Sequence, residues 1–310
     1  MKKTKTLKKV TLILVVMAMV VGMCFAFTAC GNKDNKTVYL AVDAIDLLKE
    51  DFGIAIKKGN TTLKTAVDTV IDEWNTNGNM TKYSTYYSSL AGEESGGAAA
   101  VAPEGLKLSW DFGSASNGTI TVYTESGFAP YEFIYNGKIV GLDIAIMSQV
   151  AQNIGKKIEV KDVKFDTITS NVNKSTTDAV GAAGLTINEE RLLAVDFSKV
   201  YASSTLVVVS AQGSGLNSVA SLAGKKVGVQ EGTSGDLIIS DAATNAGYTY
   251  ITDDKENDDP LDDVTVTVKA SGATVSRYSA YALAFADLQN GRIDVILMDK
   301  LPAQLMLASI

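Results

Sequence analysis

The chain has 310 residues, with 28 Lys+Arg against 35 Asp+Glu and a net charge of −7. Five of the lysines lie in the first 30 residues, so residues 31–310 carry 23 bases against 35 acids, a net −12; phosphate binding needs clustered cations, which excludes nucleic acid as a partner. Histidine is absent and the cysteines are Cys24 and Cys30, which removes Ser-His-Asp, Cys-His and His-ligated metal chemistry and leaves the body without a disulfide or a four-cysteine zinc site.

Residues 1–9 are lysine-rich, residues 10–29 are uncharged and mostly apolar, and Cys30-Gly31-Asn32 follows directly. This is a charged n-region with an h-region, and the ending Phe27-Thr28-Ala29-Cys30-Gly31 resembles a bacterial lipobox in which Cys30 receives lipid. An uncleaved anchor is the alternative, because twenty apolar residues can just span a bilayer. Both readings put the body on the extracytoplasmic face of the cell membrane, attached there.

Residues 31–37 read as a polar tether. The stretch Val38–Val42 is apolar, the run Phe52–Ile56 is short enough for a strand, and Asn60 can cap a helix whose Leu63, Val67, Val70, Ile71 and Trp74 share one face up to Gly78. Residues 91–117 are rich in Ala, Gly and Ser and read as a linker. Beyond it, strand-like runs at Thr119–Tyr123, Ile158–Val163, Ala179–Ala183, Leu206–Val209, Lys226–Val229 and Val295–Met298 alternate with helical stretches, one of them carrying Leu142, Ile146, Val150 and Ile154. This alternation predicts an α/β fold with mainly parallel sheets. Residues 253–263 hold seven acids and one lysine; they read as a solvated insertion, because a calcium loop of the EF-hand kind needs a Gly and Glu spacing that is missing here.

In open α/β sheets a ligand lies beyond the carboxyl ends of the strands. Thr186 and Arg191 follow one strand end, and Thr233 and Ser234 open a helix after another, where free N–H groups suit an anion. Asp299 ends the buried run Val295–Met298, and Phe128 stands in an aromatic loop after Thr119–Tyr123. A cation, an anion hole, an anion and apolar walls together suit an amino acid zwitterion, whose carboxylate pairs with Arg and whose ammonium needs a carboxylate. Taken singly each has a plain structural use: Arg191 as a surface ion pair, Gly232-Thr-Ser-Gly235 as a turn, Asp299 as a helix cap, Phe128 and Phe165 as core.

The segments Phe128-Ala-Pro-Tyr-Glu-Phe133, Gly184-Leu-Thr-Ile-Asn-Glu-Glu-Arg191 with Val195-Asp-Phe-Ser198, Gly224-Lys-Lys-Val-Gly-Val-Gln-Glu-Gly-Thr-Ser-Gly235 and Gly291-Arg-Ile-Asp-Val-Ile-Leu-Met-Asp299 together resemble the polar-amino-acid solute-binding proteins of ABC transporters, extracellular solute-binding family 3. Glu50-Asp-Phe-Gly-Ile-Ala-Ile-Lys-Lys-Gly-Asn60 resembles the family's C-terminal segment, yet stands first here. Stretches 38–90 and 118–310 together make 246 residues, each part of one such protein present once. This order implies a circular permutation, or else a segment that completes a neighbouring molecule.

The resemblance implies a two-lobed periplasmic-binding-protein-like fold of type II with two hinge strands. Lobe 1 spans 53–205, including the linker 91–117, and lobe 2 combines 38–52 with 206–310. It implies a monomer that captures an amino acid and delivers it to a membrane permease, without a cofactor and without catalysis. Arg191, helped by Thr186, Thr233 and Ser234, takes the α-carboxylate; the Gly184 carbonyl and Asp299 take the ammonium; Phe128 and Phe165 flank the side chain. Two other readings stay open: a hydro-lyase on the same scaffold using Glu125, Glu132 or Asp299, and a non-transport sensor with a degenerate pocket.

Overall fold

The computed structural model describes residues 39–41, 49–93, 96–104, 106, 117–252 and 264–309. The leader with Cys30, the tether 31–37 and the acidic run 253–263 lie outside the described residues; the last of these is flanked by the antiparallel strands Tyr248–Thr252 and Val264–Val268.

Two five-stranded sheets organise the body. In the first, the strand order is Val195–Phe197, Ala55–Lys57, Ala179–Gly181, Thr119–Thr124, Lys157–Asp162. The last three run parallel, and Ala55–Lys57 is antiparallel to both its neighbours. The second sheet repeats the plan with Tyr39–Ala41, Leu206–Ala211, Val295–Asp299, Lys226–Gln230 and Thr274–Tyr278, and here Leu206–Ala211 is the antiparallel insert. The sheets are therefore mixed rather than mainly parallel. Each receives one strand arriving from the other lobe, which enters against the grain.

Those arrivals pass through a crossing pair, Glu50–Phe52 against Ala202–Ser204, with Phe52 opposite Ala202 and Glu50 opposite Ser204. The run expected as one strand over Phe52–Ile56 is split. At Gly53 the chain leaves the crossing pair: its N–H goes to the Leu185 carbonyl at 3.0 Å, and Ile54 N–H goes to Ser198 Oγ at 2.9 Å. A Cβ at Gly53 would meet Ile187 at 2.9 Å, so glycine lets the backbone press into that corner.

The helix Thr61–Asn77 begins on Asn60, whose Oδ1 accepts from Leu63 N–H at 3.1 Å, and ends on Gly78 with φ of 79°. Its stripe of Leu63, Val67, Val70, Ile71 and Trp74 is buried against the helix Leu142–Asn153. A second helix, Asn79–Glu93, enters what the sequence read as linker and buries Met80, Tyr83, Tyr86, Tyr87 and Leu90. Trp74 and Tyr83 meet edge to face at 4.5 Å. The core of the second lobe is built from Leu206, Val208, Val227, Val229, Ile239 and Leu297. Each such side chain is worth roughly 1.5–3 kcal/mol when fully buried.

Candidate ligand cleft

Arg191 lies on the short helix Glu189–Ala194, which starts where Asn188 Oδ1 accepts from Arg191 N–H at 2.9 Å. The guanidinium donates through Nη1 to the Thr186 carbonyl at 2.7 Å and through Nη2 to the Gly232 carbonyl at 2.9 Å. Thr186 follows the first sheet and Gly232 the second, so one side chain bridges both lobes. Arg191 is 9% exposed, which rules out a surface ion pair. Burial lowers its pKa to about 10, against the opposing pull of Glu50, Glu190 and Asp299. Its guanidinium carbon stands 5.3 Å from the Phe165 ring centroid, so Phe165 shelves the cation at the mouth of a cavity of about 120 Å³ that Leu185, Gly232 and Leu237 also line.

Across the cleft the helix Ser234–Ala242 opens on Thr233, whose Oγ1 accepts from Asp236 N–H at 3.3 Å. The Thr233 N–H is turned to the Gln230 carbonyl at 3.3 Å, and its hydroxyl donates to the same oxygen at 2.8 Å. Ser234 Oγ donates to Thr186 Oγ1 at 3.0 Å, a second link between the lobes.

Asp299 ends the strand Val295–Asp299 and precedes the helix Lys300–Ala308, but its side chain makes no cap bond. It is 6% exposed, and its Oδ1 is buried with no hydrogen-bond partner among the described residues. Glu50, from the crossing strand, is 4% exposed and sets its carboxyl against Ser234, Asp299 and Thr186 with Arg191 nearby. Burial raises the pKa of both acids, and for Asp299 the Glu50 charge is the next cause.

Phe128 forms an aromatic floor with its ring 5.7 Å from Tyr131 and 6.4 Å from Tyr281, stacked on both, so two rings come from the first lobe and one from the second. Gly184 has φ of 53° and lies so close to Phe128 that a Cβ would stand 2.7 Å from the ring; a side chain there is barred twice. Beneath the floor, Asp143 Oδ2 accepts from Gly184 N–H at 3.0 Å and from the Tyr201 hydroxyl at 2.8 Å. Burial pushes the Asp143 carboxyl up to about 7 despite those two bonds. Glu132 is fully buried with both carboxyl oxygens unpartnered among the described residues, and burial followed by the Asp143 charge raises it well above the carboxylate range.

Arg191, Thr186, Ser234 and Asp299 thus converge, with Gly184 and Phe128 adjoining them. Phe165 stands on the outer side of the guanidinium, and the Thr233 N–H is committed to its own turn. Glu50 and Tyr281 belong to the same cluster, although neither was singled out from the sequence.

Residues 120–284 match the family model for bacterial extracellular solute-binding proteins, family 3. The arginine-binding extracellular protein ArtP of Bacillus subtilis is 36% identical over 110 residues, 36% of this chain and 43% of that protein. A putative ABC transporter arginine-binding protein 2 of Escherichia coli is 31% identical over 182 residues, 58% of this chain and 63% of that protein. The chain therefore spans under two thirds of these curated relatives. Among solved structures, the arginine-bound form of truncated ArgBP from T. maritima is similar with a TM-score of 0.50 and 29% identity, over 63% of this chain and 79% of that one. The matched model, the converging cleft residues and the two-sheet architecture agree: the chain belongs to the bacterial extracellular solute-binding proteins, family 3.

Proposed function

We propose that this protein is an extracytoplasmic solute-binding lipoprotein that captures an amino acid between its two lobes and presents it to an ABC permease. The observation that carries this reading is the buried Arg191 guanidinium, which spans from Thr186 to Gly232 and faces the acids Glu50 and Asp299 across the cleft. A free amino acid has the matching polarity. Its α-carboxylate pairs with Arg191, the Thr186 and Ser234 hydroxyls and the backbone N–H of Ser234 at the helix opening, the Thr233 N–H being held by Gln230; its ammonium pairs with Asp299 and the Gly184 carbonyl. Phe128 and Phe165 bound the side chain. A ligand held from both sides favours the closed form by its differential contacts, and closure is the state a permease reads.

The chain reads as a binding protein without turnover, and the relatives above carry binding names, which supports this. Lobe 1 is taken as 53–205 and lobe 2 as 38–52 with 206–310. Cys30 carries the lipid after removal of the leader. The order of segments is read as a circular permutation in a monomer, supported by the backbone pairing of Ala55–Lys57 with Val195–Phe197 and Ala179–Gly181 within one chain.

A thermal-shift screen of residues 31–310 against the twenty amino acids, beginning with the arginine that these relatives are named for, tests the reading. Stabilisation by RT ln(1 + [L]/Kd) gives several degrees at millimolar ligand for a micromolar binder. An unmoved midpoint with all twenty removes it.

A further inference from the structure

We propose that Asp236 and Arg277 are positioning residues of the cleft: without touching the amino acid, they hold the Gly232 turn so that its carbonyl receives the Arg191 guanidinium, and so set how long the bound amino acid stays. This rests on the amino-acid reading above and adds to it a chain of residues that runs from the cleft to the outside of the second lobe.

The turn sits where the two lobes meet. Gly232 has φ of 78°, in the left-handed region that favours glycine, and a Cβ there would stand 3.1 Å from Asp166 of the first lobe. Glycine lets the turn come this close, and it is also the residue whose backbone is least restrained. Its two flanking peptide planes are pinned separately. The Gly232 carbonyl accepts from Arg191 Nη2 at 2.9 Å across the cleft, while the Gly232 N–H donates to Asp236 Oδ2 at 3.1 Å within the second lobe.

An acid three residues after a threonine cap commonly turns back to the N–H of the cap residue itself. Here the Thr233 N–H is given to the Gln230 carbonyl, and the Asp236 carboxylate reaches one residue further back, to Gly232. The rest of that carboxylate is held from behind. Arg277, on the edge strand Thr274–Tyr278, donates from Nε to Asp236 Oδ1 at 2.9 Å and to Oδ2 at 3.0 Å. Its Nη2 donates to Ser240 Oγ at 2.7 Å, and Ser240 Oγ donates in turn to Asp236 Oδ1 at 2.9 Å. A planar fork meets the carboxylate and the hydroxyl together. Each Asp236 oxygen thus already holds two donors, which makes the buried carboxylate a brace for the turn. The same strand secures the start of the turn, where Glu231 N–H donates to the Tyr278 carbonyl at 2.9 Å.

A bound amino acid leaves when the lobes part, and parting breaks the link from Arg191 to Gly232. Loosening the turn weakens that link in the closed form and leaves the open form, where it is already broken, as it was. Removing the brace therefore speeds dissociation more than it slows association.

Titration calorimetry and the dissociation rate of a labelled amino acid test this on the purified protein, with L-arginine as the first probe and the other nineteen amino acids after it. Arg277→Gln is expected to weaken binding roughly tenfold, because a charge-assisted bond no longer holds the turn. The loss should lie in faster dissociation, with association within about twofold of wild type. Asp236→Asn should behave alike, and the double variant should bind no more weakly than the weaker single one, since both act through one link. The urea midpoint of Arg277→Gln should stay close to wild type, its side chain being 45% exposed. Arg292→Gln, which breaks an exposed ion pair with Asp287 in the same lobe, should change neither affinity nor rate. Wild-type affinity in Arg277→Gln overturns the inference and leaves the amino-acid reading standing. Slower association with an unmoved dissociation rate, or an equal loss in Arg292→Gln, also overturns it. If Asp236→Asn fails to fold, Arg277→Gln decides alone. Binding of no amino acid by the wild-type chain removes both.

Discussion

Arg191 Nη2 donates to the Gly232 carbonyl at 2.9 Å, so a cation anchored on one lobe is satisfied by the backbone of the other. The planar fork reaches Thr186 and Gly232 at once, which a point charge on a flexible stem cannot reproduce. Arg191→Lys is expected to lower amino acid affinity at least tenfold although the charge is kept, because bidentate recognition of a carboxylate is lost. Competition with a labelled amino acid checks it; affinity equal to wild type removes the guanidinium geometry from the site.

Asp143 makes a pH dependence. Its folded pKa is raised by burial from 3.8 to about 7, so between those values the folded state binds the proton more tightly than the unfolded chain. Stability from this group is full below about pH 4 and declines as pH rises to about 7, with a slope on the order of 1.4 kcal/mol per pH unit. Asp143→Asn keeps the shape and removes the titration. Urea midpoints across pH 4 to 8 should fall more steeply for wild type than for the variant, and parallel curves would show that Asp143 does not titrate there.

The segment before the linker belongs to the folded body. Asn60 caps the helix Thr61–Asn77 and its Nδ2 donates to Asp178 Oδ1 at 3.1 Å, tying the helix to the first sheet's lobe. Asn60→Ala should cost about 1–2 kcal/mol in urea denaturation, with one cooperative transition. A second, independent transition for residues 49–93 would contradict the shared core.

Much of this was legible from residue order. Asn60 and Gly78 punctuate a helix whose apolar spacing leaves no other reading, and the runs at 119–123, 206–209 and 295–298 are apolar enough to be strands on both faces. Pairing direction was not legible: that Leu206–Ala211 lies antiparallel beside Val295–Asp299 depends on which lobe the chain comes from. Nothing in the order of residues marks Glu50 for burial; it is buried in the crossing pair with Ala202–Ser204, some 150 residues away in sequence. Tyr281 opens an ordinary helix, and only the fold stacks it on Phe128. Arg191, Thr186, Ser234 and Asp299 could be nominated because each follows a strand end, where such folds place their ligands.

Segment order can be tested by reversal. A chain in which residues 118–310 precede 38–93 should fold with a similar midpoint, because every strand pairing stays available and closing a surface loop costs little. Failure of that chain to fold, with the original order folding as a dimer in light scattering, would favour exchange of the first segment between molecules.

The central claim is that an amino acid is held at both ends, and the most direct measurement is titration calorimetry of residues 31–310 with the best-stabilising amino acid, repeated on Arg191→Ala and Asp299→Asn. The account predicts one site per chain, with each substitution weakening binding by about 3–5 kcal/mol as a buried charge loses its partner. A one-to-one isotherm that survives both substitutions unchanged would contradict it.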